Sequence, residues 1–577
     1  MNTKSIKHLV IAGSLCCAAA TAFTSCSDLL DTDSELVEFQ ESNRLQSPTD
    51  TLYSVMGIVY KMQAIADRTV LLGELRGDLT TVTGAASKDL KAIASFSIDQ
   101  QNAYNRISDY YAIVNNCNYF LANVDTMLIK NGRKAFEGEY AVVKAFRAWT
   151  YLQLAQIYGN VPLVVEPVLT EEASRKAMQQ APMDIVSICN YFIDDIKPYV
   201  DTKLPAYGQI DAMDSQKFFI PVRVLLGDLC LWAGRYAEAA QFYHDYLSLR
   251  TKPVPTGTSA ARWSDDDVRT KEFRRDPSNG IDYSYESNEC LAFIPMESGE
   301  FYGIKSNLND IFSSTDLNLM YAQATPTESM RQLSAAQNYC ATYLLTDGMP
   351  DTIYAPKDNL QRYDLAGDLR FGTVYDYDVR TQERFARVSE NIQQIQKKFN
   401  ARGIDLYRVG MVYLRYAEAL NRAGFPQSAF AVLKYGLYPS NVSKYVDETE
   451  RNAARLLINF DGDLFTQTNT KGIHARGCGD VECDNSYALP QPAVPLASRQ
   501  DTVAYQIPLV EDLIINEMAL EGAFEGYRFY DLMRVALRRG NPAYLADPVS
   551  RRDGTVNGEL HARLLDTKNW YLPKTAE

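Results

Sequence analysis

Residues 222–249 read VRVLLGDLCLWAGRYAEAAQFYHDYLSL. Leu226-Gly227 is followed by Gly234, seven residues after that glycine, then by Tyr236 at nine, Ala239 at twelve and Tyr243 at sixteen. This is the spacing of a tetratricopeptide hairpin, and it has a local physical basis. Gly227 and Ala239 lack the bulk that would hold two antiparallel helices apart. Gly234 can end the first helix, and Tyr236 and Tyr243 fill the space beside the small residues. A second copy runs from Val409 to Leu437, with Ala417 in the glycine's place, Gly424 seven residues on and Ala429 twelve on. Val409, Val412, Tyr416 and Leu420 form its apolar stripe at helical spacing. Gly227 and Ala417 are 190 residues apart, against about 34 per repeat in a tandem array. A large insertion therefore interrupts the repeats.

Working outward, helical periodicity recurs at about Thr49 to Ala66, Ala103 to Leu128 and Met183 to Tyr199. Val142, Phe146, Trp149 and Leu152 make another helical stripe, which assigns Trp149 to the core. Gly159 stops that helix and Pro162 prevents its resumption. Between Arg250 and Asn400 the pattern dissolves into Gly, Pro, Ser, Asp and Tyr, the composition of a long functional or poorly ordered region. Helices return at about Leu509 to Gly522 and Glu525 to Arg538. The expected fold is mainly α. Interrupted tetratricopeptide hairpins over about 49–250 and 405–440 carry an irregular insertion at about 250–400 and a C-terminal helical segment at about 505–577.

Composition narrows the function. The 577 residues are 46% hydrophobic and 23% charged, which excludes a disordered or collagen-like chain. With 58 Lys and Arg against 72 Asp and Glu, the net charge is −14. Nucleic-acid affinity comes mainly from Lys and Arg displacing counterions, so no nucleic-acid partner is expected. Tyr is abundant at 37, beside 23 Phe and 4 Trp. An excess of tyrosine suits both wet contact surfaces and helix packing.

The first 25 residues have the form of a secretory signal peptide, with Lys4 and Lys7 ahead of an apolar run from Leu9 to Phe23. That run is shorter than the roughly 20 residues of a bilayer-spanning helix. Phe23-Thr24-Ser25-Cys26 has the form of a lipobox, in which cleavage before Cys26 leaves a thiol for acylation, although Phe stands where Leu is usual. Ordinary cleavage after Ser25 is the alternative. The polar, acidic stretch over 26–48 then reads as a tether, followed by one globular domain over 49–577.

Seven cysteines remain after Cys16, Cys17 and Cys26 are set aside. Cys117, Cys189 and Cys230 fall in helical patterns, as small buried hydrophobes. Cys478 and Cys483 sit in a glycine-rich stretch with His474. They could form a disulfide, remain two free thiols, or join His474 as zinc ligands, although the spacing matches no common zinc pattern. Asp265-Asp266-Asp267 lacks the alternate spacing of a calcium loop and reads as a solvated turn. No metal or cofactor is assigned. No His-Glu-x-x-His, nucleophile elbow or P-loop occurs, and no catalytic residue is assigned.

Several segments together resemble one family. They are Ala145-Phe146-Arg147-Ala148-Trp149 through Tyr158-Gly159-Asn160-Val161-Pro162, Tyr413-Leu414-Arg415-Tyr416-Ala417-Glu418-Ala419-Leu420-Asn421, and Asn516-Glu517 through Gly526-Tyr527-Arg528-Phe529-Tyr530-Asp531-Leu532. Gly367-Asp368-Leu369-Arg370-Phe371, the ending Asn569-Trp570-Tyr571-Leu572-Pro573, and the lipobox followed by Ser27-Asp28-Leu29-Leu30-Asp31 agree with them. The chain resembles the SusD/RagB family of Bacteroidota outer-membrane lipoproteins. The resemblance implies a SusD-like fold built on tetratricopeptide hairpins and a lipid-anchored, cell-surface location. It also implies a role as lid on a SusC-type TonB-dependent transporter, with an oligosaccharide or, in some branches, a peptide as ligand. A protein–protein adaptor without ligand affinity is the other non-enzymatic reading.

The family offers no fixed ligand motif, so candidate contacts come from chemistry. A sugar presents an apolar C–H face ringed by hydroxyls, which an exposed aromatic face and amide, carboxylate or guanidinium groups complement. In the irregular region this selects Trp263 first, then Tyr283, Tyr285, Phe301, Tyr302 and Asn307. Glu74, Arg76 and Asp78, in the loops near Leu72 to Ile98, form a second candidate cluster; salt bridges and helix caps are the competing use of these charges.

Overall fold

In the computed structural model, Tyr243 packs on Gly227 so closely that a Cβ at the glycine would fall 2.4 Å from the tyrosine ring. The model describes residues 48–249, 284–299, 301–313, 322–345, 347–354, 367–374, 376–377, 393–394, 402–460, 462, 465 and 471–574. Its first helices are α1 (Pro48–Glu74), α2 (Lys88–Ala94), α3 (Ile107–Asn123), α4 (Glu137–Tyr158) and α5 (Ile185–Ile196). The first repeat copy is α6 (Val222–Ala233) and α7 (Tyr236–Ser248); the second is α8 (Val409–Arg422) and α9 (Pro426–Lys434). Gly234 closes α6 at φ 78°, in the left-handed conformation that its place in the repeat requires. After them come α10 (Arg499–Gly522), α11 (Arg528–Arg539) and α12 (Ala543–Arg551), followed by the short helix Gly558–Leu564.

Neighbouring helices pack in one unbroken series, α3 on α4, α4 on α5, α5 on α6, α6 on α7, α7 on α8 and α8 on α9, with α10 against α8 and α9. The two repeat copies thus touch through α7 and α8 despite the long stretch between them. The fold is mainly α with tetratricopeptide hairpins, as the spacing predicts. Strands are short and pair in twos. Strand β1 (Thr80–Val82) pairs antiparallel with β3 (Ala324–Pro326), and β2 (Cys290–Pro295) with β4 (Gly403–Arg408). Among the described residues no helix is long and apolar enough to cross a membrane.

Two boundaries depart from expectation. α1 continues to Glu74, and α10 begins ten residues before Leu509 and runs through Pro508. Ser498 caps α10 by accepting from the Asp501 N–H. Carbonyls near the proline are taken up from outside the helix, that of Ile507 by Asn421 Nδ2 at 2.8 Å and that of Pro508 by Arg539 Nη2 at 2.9 Å.

The second candidate cluster is corrected by its burial. Glu74, Arg76 and Asp78 are 0%, 1% and 5% exposed. Glu74 accepts from the Gly526 N–H at 2.8 Å, and Asp78 receives both Nε and Nη2 of Arg528. Arg76 donates to the Leu72 and Trp570 carbonyls and to the Tyr530 hydroxyl, with its guanidinium 4.2 Å from the centre of the Phe529 ring. These residues tie α1 to α11 and to the chain's last segment, where no ligand reaches them. That segment is itself latched: Trp570 is buried and bonds Leu564, and the Leu572 N–H bonds Ile157.

A larger ion network fills the space between α8, α10 and the strand ends. Arg370 reaches Asp368, Glu517 and Glu521; Arg408 reaches Glu289, Glu521 and Glu525; Arg476 reaches Glu289 and Glu521. Burial alone would raise the Glu521 carboxyl, but the charges of Arg476, Arg408 and Arg370 hold it well below the usual carboxylate range.

Candidate functional site

Phe301 and Tyr302 are adjacent in sequence and opposite in fate. A tight turn closes with Ser298 and Phe301 exchanging both backbone hydrogen bonds, which directs Phe301 inward. Its ring stacks on Tyr60 of α1 at 5.1 Å and 19°, and Phe301 is 2% exposed. Tyr302, the next residue, points outward and is 77% exposed. Gly303 then approaches α1 so closely that a Cβ would lie 2.0 Å from Gln63 Oε1. Gln63 clamps the segment by accepting from the Ile304 N–H and donating to the Pro295 carbonyl. Beyond it, Asp67 accepts from the Ser306 hydroxyl and from the Asn307 N–H, which leaves the Asn307 side chain exposed. Burial raises the Asp67 carboxyl, opposed by these two hydrogen bonds.

The segment after Asn307 is joined to the start of α2 by Gln323, whose N–H bonds the Ile311 carbonyl and whose Oε1 accepts from the Ser87 N–H. Around α2 lies an open polar groove of about 360 Å³, lined by Lys88, Asp89, Lys91, Ser97, Asp99 and Gln101 among others. Ser87 starts the helix by accepting from the Leu90 N–H, and Leu90, Ile93 and Ala94 bury its inner face. Lys88 and Lys91 are thereby left on the outer face. The return loop is fixed by side chains: Asp99 accepts from the Gln101 N–H, and Asn102 both accepts from the Tyr104 N–H and donates to the Asp89 carbonyl. The exposed Tyr302 ring and this groove thus lie on segments joined through Gln323.

Of the residues expected to touch ligand, Tyr302 and Asn307 lie on this surface. Tyr285 and Phe301 do not: Tyr285 is 8% exposed, packs on Phe293 and receives a hydrogen bond from Arg402. Trp263, Tyr283, the Asp265-Asp266-Asp267 run and Cys26 lie outside the described residues. Tyr60, half-exposed beside the turn, was hidden within an otherwise ordinary helical stripe. The Cys478–Cys483 disulfide is also corrected. Both thiols are free. The turn Ala475–Cys478 carries Cys478 inward, Gly479 reverses the chain at φ 70°, and Cys483 emerges on the surface.

A second cavity, between α4, α6, α8 and the turn into α11, has a volume of about 60 Å³ and is lined by Trp149, Trp232, Tyr407, Arg415, Asp228 and Asp405 among others. It has room for a few waters and is well below the ~300–1,000 Å³ of ligand sites. Burial and the charge of Glu525 push the Asp405 carboxyl up to about 7, against the pull of Arg408. Between about pH 4 and 7 the folded protein therefore holds a proton there that the unfolded chain, with its carboxyl near 3.9, does not. Stability conferred by this group falls as pH rises through that window. In Asp405→Asn the thermal midpoint should fall less between pH 5 and pH 8 than in the wild type; an unchanged difference would exclude Asp405 as the source.

No protein-family model matches the chain, and no curated protein does either. Solved structures do match in fold. A SusD superfamily protein from Bacteroides vulgatus aligns over 92% of this chain and 96% of its own, with TM-score 0.55 and 13% identity. A SusD-like protein from Bacteroides fragilis aligns over 87% and 88%, with TM-score 0.53 and 16% identity. A SusD-like carbohydrate-binding protein from the same species aligns over 85% and 86%, with TM-score 0.52 and 15% identity. The helical series and the latched C-terminal segment, with these matches, make this a protein of the SusD fold.

Proposed function

We propose that this protein belongs to the SusD/RagB family and captures oligosaccharides at the cell surface. In this reading Cys26 carries the lipid that anchors it to the outer membrane, and the protein acts as the lid of a SusC-type transporter. The observation that carries the reading is the exposed Tyr302 ring, with a polar groove on a segment joined to its own through Gln323, on a fold shared with a carbohydrate-binding protein. The ring face would receive the C–H face of a pyranose, and Asn307, Lys88, Asp99 and Gln101 would bond the hydroxyl rim. The proposed activity is binding without turnover: the glycan is depleted from solution and no new reducing ends appear.

Calorimetry on protein beginning at Ser27, against a glycan panel and a peptide mixture, tests this. A glycan should bind saturably, and Tyr302→Ala should weaken it about tenfold, the equivalent of about 1.4 kcal/mol for losing one aromatic platform. Saturable peptide binding with no heat from any glycan would replace the sugar by a peptide. Silence toward both would leave the adaptor role. For the anchor, Cys26→Ala should move the full chain from the membrane fraction to the soluble one.

A further inference from the structure

His474 and Cys478 are brought beside Asp368 by the turn at Ala475–Cys478, and none of the three is more than 1% exposed. Their ligand-capable atoms all lie within 4.8 Å of one another. Nitrogen, thiolate and carboxylate oxygen are the donor types that tetrahedral zinc takes. His474 Nδ1 lies 2.6 Å from Glu517 Oε2. A carboxylate only accepts, so Nδ1 carries the hydrogen; in the neutral ring Nε2 then holds the lone pair, the arrangement in which a carboxylate orients a metal-binding histidine. A further observation is independent of the three donors. The Tyr487 hydroxyl is buried with no hydrogen-bond partner among the described residues. Its ring lies flat on His474, at 4.0 Å and 7°. Burial raises this hydroxyl's pKa, and the charges of Glu517, Cys478 and Asp368 add to the effect.

We propose that Asp368, His474 and Cys478 form a binding site for a divalent transition-metal ion, zinc by its donor chemistry, with the Tyr487 hydroxyl completing or capping the site. Cys478 Sγ now lies 3.4 Å from Asp368 Oδ2, to which it donates its hydrogen. On binding, the ion replaces that hydrogen: the thiol proton leaves to solvent, the S–H pair becomes the sulfur–metal bond, and no oxidation state changes. Tetrahedral zinc needs donors about 3.5 Å apart given bond lengths of about 2.0–2.3 Å, so binding must draw the widest-set donors together. Arg370 remains on Asp368 and Glu517, holding both carboxylates in place.

Cobalt(II) reports such a site by a thiolate-to-metal charge-transfer band. Titrated into chelator-treated protein beginning at Ser27, cobalt should give this band at one ion per chain, and zinc should remove it by competition. Cys483→Ser should retain the band, whereas Cys478→Ser should lose it with its helical circular dichroism intact. Should Cys478→Ser fail to fold, the wild type decides: zinc must raise its thermal midpoint and chelator must reverse the rise. Absence of the band from the wild type, or its survival in Cys478→Ser, overturns the site.

Discussion

Replacing Glu521 with Ala should destabilise the protein by about 3–5 kcal/mol, the effect of removing one partner from a buried ion pair. Glu521 is fully buried on α10. It accepts from Arg370 Nη1 at 2.9 Å, from Arg408 Nη1 at 2.8 Å and from Arg476 Nη1, and its backbone carbonyl accepts from Arg408 Nη2. Without the carboxylate, three guanidiniums would face one another in a low-dielectric interior, and each would lose a charged acceptor. The contrast is Glu171→Gln, which removes a solvent-exposed pair with Arg175 at 3.8 Å and should change stability by less than about 0.5 kcal/mol. Urea unfolding followed by circular dichroism reads both. A Glu521→Ala loss below about 1 kcal/mol would mean that the network repacks around the gap. The sign with pH also follows. Because the folded carboxyl is held low, its stabilisation is present above the unfolded value of about 4.3 and is lost as pH falls through the folded one.

Gly73→Ala should be comparably damaging although it adds a single methyl group. A Cβ at Gly73 would sit 1.7 Å from the Gly526 carbonyl oxygen and 2.9 Å from its Cα, which are backbone atoms with no rotamer to escape into. Gly526 is constrained in return: its φ is +87°, and a Cβ there would lie 2.1 Å from the Thr69 carbonyl oxygen. Its N–H is also spent on Glu74. Two glycines thus let α1 touch the turn into α11. Overpacking a core typically costs about 1–3 kcal/mol, and with backbone on both sides the upper end or a failure to fold is expected. Gly57→Ala, in the same helix with nothing within 4 Å of its Cβ, should instead stabilise by about 0.5–1 kcal/mol. Soluble yield and thermal midpoint measure both. A Gly73→Ala midpoint equal to the wild type would show that the two elements can separate at no cost.

The scaffold was legible because its signals are local. Gly227, Gly234, Ala239 and Tyr243 act within one hairpin, and the contact of Tyr243 with Gly227 is the small-to-large pairing that their spacing encodes. The candidate site was legible only in part. Phe301 and Tyr302 have the same composition-level signal, and which one faces solvent is decided by a turn whose partner is Gln63, more than 230 residues away. Glu74, Arg76 and Asp78 looked like loop charges because the residues that bury them, Gly526, Trp570 and Arg528, lie some 450 to 494 positions along the chain. Spacing carries no information over such distances. The same holds for Asp368, which joins His474 and Cys478 only in three dimensions.

The pairing of β2 with β4 joins Cys290–Pro295 to Gly403–Arg408, so the chain between them departs from and returns to one place. Closing a loop costs only about 0.6 kcal/mol for each doubling of its length. Such a clasp tolerates changes of length in the intervening stretch, outside the parts of it that return to the scaffold: the Asn307 turn on α1, β3 on β1, and Asp368 and Arg370 in the buried ion network. Length can diversify there while the helices on either side keep a single register.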